Sequence, residues 1–545
     1  MTRTLCRLFA SALLAALPLV PRTARAEEPV RVPGGVRAAV EVTALDLDVV
    51  ATKDGKFVTD LKKEEFAVKV DGKSVPLDYF TPIEEGTLFA PDLSKASPDL
   101  ILDSVRNDAG QRYLARQVLV FFDDEHLLPF DRPRAIEGLR ELVYKLAPTD
   151  QVSLLRYNRG YTRTLVPFTG SKEEILNGLA ALEKLPPGGL NWSQQAQQDY
   201  RTGQSTRYAS SRTNVIRNYS QQAQIRERTA LGDIRRAISA LAARSGKRTM
   251  LYISSGIELR PGQGMAYALG FRNLQQFEYD VTKEYRDVLR EANESNVTMY
   301  VVDARGLTTD VDAGESQPFE IAPYERDIYR KEALHGFAEE TGGVLFENRN
   351  VFKGAMDQVY RETSSFYSIG VTLSNLPKKE QHAIKVSVSR PGVTVRTRSN
   401  FVPRTAEKAN INRMELALLT PDAKGDFDVA VSVGLAQSAG IGRRQSPLEV
   451  RIPLSALTFK EAGGRQEAAV DITVAAVEDN GARSDVTTVR RTISLDPARW
   501  EKDKDRFYLF STDAMSRPGN LRFVVSVKDM TTNRTGLGSA NVRIE

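Results

Sequence analysis

Apolar positions change their spacing twice along this 545-residue chain. From Val42 to Val50 and from Phe66 to Val70 they alternate with polar ones, and the pairs Asp54-Gly55 and Asp71-Gly72 supply turns, so residues 38–85 read as a small β segment. A polar, proline-bearing stretch from Glu84 to Gln117 reads as a connection. Over residues 117–372 the period shifts. Short apolar runs, Val118–Phe122, Val152–Tyr157, Met250–Ser254, Val297–Val302 and Val344–Phe346, alternate with helical patterns in which Ile136, Leu139, Val143 and Leu146, or Leu231, Ile234, Ile238 and Leu241, share a face. This predicts an α/β domain with a mainly parallel sheet and helices on both of its faces.

Beyond Tyr367 the period returns to two. Ile384, Val386 and Val388, then Val393 and Val395, predict strands on either side of Arg390-Pro391-Gly392 within residues 373–403. Pro403 to Asn412 is polar and predicts a linker. From 412 to 545, the runs Phe427–Leu435, Leu448–Ile452, Ala469–Val477, Val486–Ile493 and Leu521–Val527, punctuated by Asn480-Gly481 and Pro518-Gly519, predict an independent β-sandwich.

Residues 1–26 stand apart from all of this. Arg3 and Arg7 precede an apolar stretch, Ala10 to Val20, that is too short to span a bilayer, and Ala24-Arg25-Ala26 is a small-x-small cleavage signature. A cleavable secretory leader is expected, with a periplasmic or secreted mature chain and no later transmembrane segment. The only thiol, Cys6, lies inside the leader, so large apolar cores rather than disulfides must stabilise the rest. The formal charge of +5 is also mostly the leader's: without its four arginines, 71 basic residues face 70 acidic ones. That balance gives no argument for a nucleic-acid partner.

The chemistry concentrates in Val118 to Leu128, VLVFFDDEHLL, where a buried strand would deliver Asp123, Asp124 and Glu125 at its carboxyl end, the place where open α/β sheets bind ligands. Adjacent Asp123 and Asp124 could form a general acid/base pair, because neighbouring carboxylates push their pKa values apart. Catalysis would also need a nucleophile or an activated water. Ser254 and Ser255 sit in ISSGI rather than in a G-x-S-x-G elbow, and His126, His335 and His382 show no metal-binding or triad spacing. No catalytic residue is assigned; a hydrolase on the acidic edge is the competing class.

Six segments in order, VLVFFDD, PTDQVSLLRYN, PPGGLN, MLYISSG, MYVVDARGL and FAEETGGVLF, resemble a von Willebrand factor A domain. The chain is most similar to the divergent bacterial branch described as VWFA-related, in which a segment like LKKEEFAVKVDGK precedes that domain. The resemblance implies a doubly wound α/β fold. It also implies a cation site built from a DxSxS motif, a threonine loop and a turn aspartate. Matched residue by residue, Asp123 keeps the first position, whereas Glu125 and Leu127 replace the two serines, Leu190 the threonine and Ser255 the turn aspartate. Hard cations such as Mg²⁺ require oxygen ligands, which Leu127 and Leu190 lack. No cofactor is therefore expected, and Asp123 is read as a loop-capping residue. A Mg²⁺, Mn²⁺ or Ca²⁺ site at Asp123, Glu125 and Ser255 is the alternative.

An insertion at residues 191–228 interleaves Trp192, Tyr200, Tyr208 and Tyr219 with arginines and is expected near the binding edge. The partner-binding residues named from sequence are Asp123, Asp124, Glu125, Leu190, Asn191, Trp192 and Ser255. The β segments 38–85 and 380–403 are expected to pair, so that the A-type domain is inserted in a β-sandwich; the C-terminal sandwich is immunoglobulin- or fibronectin-like. The expected function is an exported, non-enzymatic binding or scaffold protein for a protein or cell-envelope macromolecule. A cation-dependent adhesin is the runner-up. The oligomeric state is not legible.

Overall fold

The computed structural model describes residues 42–89, 104–106, 112–273, 277, 279–306, 328–374, 376–377, 379–403, 406–421, 423–484 and 486–545. The leader and residues 38–41 lie outside them. The flanking β units begin with β1 (Val42–Lys53) and β2 (Phe66–Val70). The central sheet comprises β3 (Arg116–Asp123), β4 (Gln151–Asn158), β5 (Tyr161–Thr169), β6 (Lys247–Ser254), β7 (Val297–Asp303) and β8 (Leu345–Phe346), in the order β5-β4-β3-β6-β7-β8. All neighbours run parallel except β5, which pairs antiparallel with β4. Every residue of β3 is buried, which is why its central run, Val118 to Phe122, is apolar without interruption.

Alternate strand residues enter two separate cores. Val118, Val120, Phe122, Leu251, Ile253 and Val302 meet α1 (Arg132–Lys145), α2 (Lys172–Lys184) and α8 (Lys353–Ser364). On the other face, Leu119, Phe121, Met250, Tyr252 and Val301 meet the long α4 (Ala209–Ala242), which follows α3 (Gly189–Ser205). They also meet α6 (Thr282–Glu294) and α7 (Ile328–Thr341); the short α5 (Gln263–Ala268), which comes between α4 and α6 in the chain, packs instead on the outer part of α4.

The sequence pattern predicts five strands in this region, and β5 is the sixth. Its loop is only Arg159-Gly160, both at positive φ, a two-residue hairpin without the usual Asn-Gly signature. Pro167 lowers the strand signal, yet proline is tolerated here because β5 is the sheet edge.

β1 pairs antiparallel with Phe366–Ser374 and Thr394–Arg396, while β2 pairs antiparallel with His382–Val388. Leu47, Val49, Val68, Ile369 and Val386 share one core across these segments. The Glu84–Gln117 connection is partly described, and its described residues include the short antiparallel strands Thr87–Leu88, Ser104–Arg106 and Arg112–Leu114. Lys247, at the start of β6, reaches Asp48 of β1 at 2.5 Å, so this β unit packs at the amino ends of the central strands.

The Pro403–Asn412 linker expectation is corrected: α9 (Ala406–Leu419) spans most of it. Its polar first turns hide the apolar positions that follow. Leu416 and Leu419 join the core of α4 and α6, while Met414, Ala417 and Leu418 pack on Ala475, Val524 and Leu537 of the C-terminal region. That region is two sheets face to face. Leu448, Val450 and Ile452 from one meet Val470, Ile472, Phe523 and Val525 from the other.

Candidate functional site

β3 and β6 end side by side, and their last residues build the site. Asp123 is fully buried. Its Oδ2 accepts hydrogen bonds from Tyr252 OH at 2.7 Å and Ser254 Oγ at 2.9 Å, and its Oδ1 lies 2.7 Å from His126 Nδ1. The other ring nitrogen, Nε2, lies 2.9 Å from Glu227 Oε2 on α4. Glu227 Oε1 pairs with Arg226 Nη1 at 3.1 Å, and Arg226 Nη2 donates to the Glu125 carbonyl at 2.9 Å. The Arg226 guanidinium also sits 4.7 Å above the Trp192 ring.

The electrostatics follow from enclosure. Burial opposes the charged form of each group, but opposite charges a hydrogen bond apart overcome it. The His126 charge holds Asp123 and Glu227 below the usual carboxylate range despite desolvation. For His126, burial and Arg226 push downward, yet Asp123 and Glu227 raise its pKa to about 9. At neutral pH the imidazolium and the Arg226 guanidinium face the Asp123 and Glu227 carboxylates, and Glu125 Oε1 lies a further 3.6 Å from Arg226 Nε.

Chemically, the set is already saturated. Both nitrogens of His126 face carboxylates, so the ring has no lone pair to offer a substrate hydroxyl. Ser254 donates to Asp123 rather than to the imidazole. Asp124 belongs to a different network: its Oδ1 is 2.9 Å from Arg132 Nε, and its Oδ2 accepts from Arg156 Nε at 2.7 Å. Desolvation raises the Asp124 pKa against the pull of those two arginines.

Several expected residues are placed otherwise than as a contact surface. Asp123, Asp124 and Ser255 are buried, and Leu127 is fully enclosed in the core beneath α1. Asp123 is held by side chains rather than by capping a loop. Glu125 is half-buried and accepts from Gly160 N at 2.8 Å. Leu190 and Trp192 are half-buried and Asn191 is exposed, all three on the first turn of α3. The loop before it needs its glycines: a Cβ on Gly188 would fall 2.7 Å from the Asp124 carbonyl, and one on Gly189 would clash with that of Leu127.

The insertion is a helical hairpin. Its second arm is continuous with the helix that covers the sheet, so α4 runs unbroken from Ala209 to Ala242. Tyr219 is buried, and Trp192 and Tyr200 pack around it, whereas Tyr208 is 75% exposed at the turn. Sequence reasoning passed over Arg226, Glu227 and Tyr252. A signal was present: Tyr219, Ala223, Ala230 and Ile234 form the apolar stripe of α4, and Arg226 and Glu227 fall on it. Charges on a buried stripe require partners.

No family model matches the chain, and no curated protein matches it. Among solved structures it is similar to a von Willebrand factor type A protein from Catenulispora acidiphila, at 9% identity and a TM-score of 0.23, covering 93% of this chain and 75% of that one. It is similar to the manganese-loaded TRAP protein of Plasmodium vivax, at 10% identity and a TM-score of 0.23, covering 52% and 93%. A third is the pilus adhesin SpaC from Lactobacillus rhamnosus GG, at 8% identity and a TM-score of 0.26, covering 77% and 54%. TM-scores of this size carry no argument about partners or activity; the likeness is to von Willebrand factor A domain structures.

Proposed function

We propose that this chain is an exported, non-enzymatic binding or scaffold protein. In this reading a doubly wound A-type domain, flanked by β-sandwich modules, recognises a protein or cell-envelope macromolecule without a metal. The observation that carries the proposal is the imidazole of His126 lodged between Asp123 and Glu227. A hard dication needs several free oxygens. Here the Asp123 oxygens are engaged by three protein donors, Leu127 is enclosed in the core, and His126 and Arg226 already supply positive charge. The donor set therefore does not fit the ion. Among the described residues, no group of three or more His, Cys, Asp or Glu side chains is arranged to hold one.

The same saturation supports binding rather than turnover, since neither His126 nor Ser254 is free to activate a nucleophile. Export is supported by the leader-like first 26 residues. Among the described residues, no helix is long and apolar enough to cross a membrane. The test is calorimetric titration with Mg²⁺, Mn²⁺ and Ca²⁺, alongside capture of partners from native envelope extract. Retained capture in EDTA with no tight cation binding is expected. Tight binding abolished by Asp123→Ala would transfer the case to the cation-dependent adhesin.

A further inference from the structure

We infer that the projecting end of the α3/α4 hairpin is the docking surface for an anionic glycan chain, an inference that rests on the binding-protein reading above. Three observations lead there. The root of the hairpin closes the strand ends: Arg226 and Glu227 of α4 fill the position over Asp123 and His126, so little of the conventional edge is left to touch. From that root the helix reaches outward, and the stretch from Ala209 to Arg226 spans about 25 Å at 1.5 Å per residue.

The arm is braced. Ala196, Ile216, Tyr219 and Ala223 pack against Met265 and Leu269, consuming its apolar face. Gly203 lies so close to α5 that a Cβ there would fall 2.5 Å from Leu269 Cδ1. Tyr267 lies two residues before Leu269 in this bracing segment and Tyr208 lies at the hairpin turn, and these rings are 69% and 75% exposed.

What faces solvent around them is basic. Residues 191–225 and 263–273 carry five arginines, Arg201, Arg207, Arg212, Arg217 and Arg272, against one acid, Asp199, and contain no lysine. The near-neutral balance of the chain beyond its leader makes this local excess stand out as a binding feature. The rest of the surface is Gln, Ser, Thr and Asn, and among the described residues no large aliphatic side chain of the arm is exposed. A protein partner would call for an apolar centre. A sugar chain calls for ring faces to stack on, amides and hydroxyls for its own hydroxyls, and guanidinium forks for its carboxylates or phosphates.

The test uses the full chain and five probes: polygalacturonate and hyaluronate as carboxylated glycans, dextran as a neutral one, poly-glutamate, and single-stranded DNA. Binding is measured at two salt concentrations. The two carboxylated glycans should bind and dextran should not. Arg207→Gln combined with Arg217→Gln should weaken binding about three- to tenfold and flatten its salt dependence. Tyr208→Ala combined with Tyr267→Ala should weaken it about threefold with the salt dependence kept. All four positions are exposed, and unchanged melting of the variants shows that the fold is intact.

The proposal is overturned if neither glycan binds, if poly-glutamate or DNA binds as tightly, or if the variants bind like the parent. A native partner still captured by the tip variants would also overturn it while leaving the binding-protein reading in place. Tip-dependent cleavage of either glycan would do the reverse, sinking the non-enzymatic reading while upholding the glycan surface.

Discussion

His126 and Glu227 are 101 residues apart in sequence and 2.9 Å apart in the fold, and through them the insertion helix is bolted to the end of the central strand. Removing one member leaves the other charge enclosed without its partner. Glu227→Gln and His126→Ala should each cost about 3–5 kcal/mol, the range for breaking a buried ion pair from one side. Denaturant unfolding should show this as a lowered midpoint. A loss below 1 kcal/mol, within the range of a surface pair, would mean that α4 is not held at this point.

The same cluster sets a pH window. His126 has a folded-state pKa of about 9, above its ordinary 6.5, so its stabilisation is fully present below about pH 6.5 and is lost as the pH rises through 9. Asp123 and Glu227 are held below their ordinary values, so their contribution is present above those values and fades as the pH falls through the depressed ones. Melting temperature measured from pH 6 to 10 should decline on the alkaline side, and His126→Gln should flatten that decline. A parent profile as flat as the variant's would show that the imidazole is not charged in the fold.

The cores were more legible than the site. Val118 to Phe122 reads as a strand because burial on both faces demands an unbroken apolar run, and burial is what the sequence records most directly. The polar network over its end was harder to see, because Asp123 and Tyr252 come from different strands and Glu227 from a distant helix; only packing brings them together. α9 was missed for a related reason. Its periodicity begins late, at Met414, and its two apolar faces are buried against different partners.

Gly189 passes under the Leu127 carbonyl where even a methyl group has no room, and a backbone oxygen cannot swing aside as a side chain would. Gly189→Ala should therefore destabilise the fold by about 1–3 kcal/mol, the cost of overpacking. Gly354→Ala is the control, since a Cβ there meets nothing within 4 Å. Equal unfolding midpoints for the two variants would show that the PPGGLN loop can lift off the strand end.

α9 ties the C-terminal sheets to the central domain through charge as well as apolar packing. Glu415 accepts from Arg483 at 2.6 Å with both side chains largely enclosed, and Lys408 pairs with Glu291 on α6. Leu416 and Leu419 face one unit while Met414 and Leu418 face the other, so the helix belongs to both cores and neither unit can shed it without exposing apolar surface. The two units should then unfold together. Glu415→Ala strands the Arg483 guanidinium, and Met414→Ala opens a cavity worth about 2–5 kcal/mol on the C-terminal side. The double variant should split a single calorimetric transition into two, with the C-terminal sheets melting first. Two transitions in the parent protein would show instead that α9 docks too weakly to couple them.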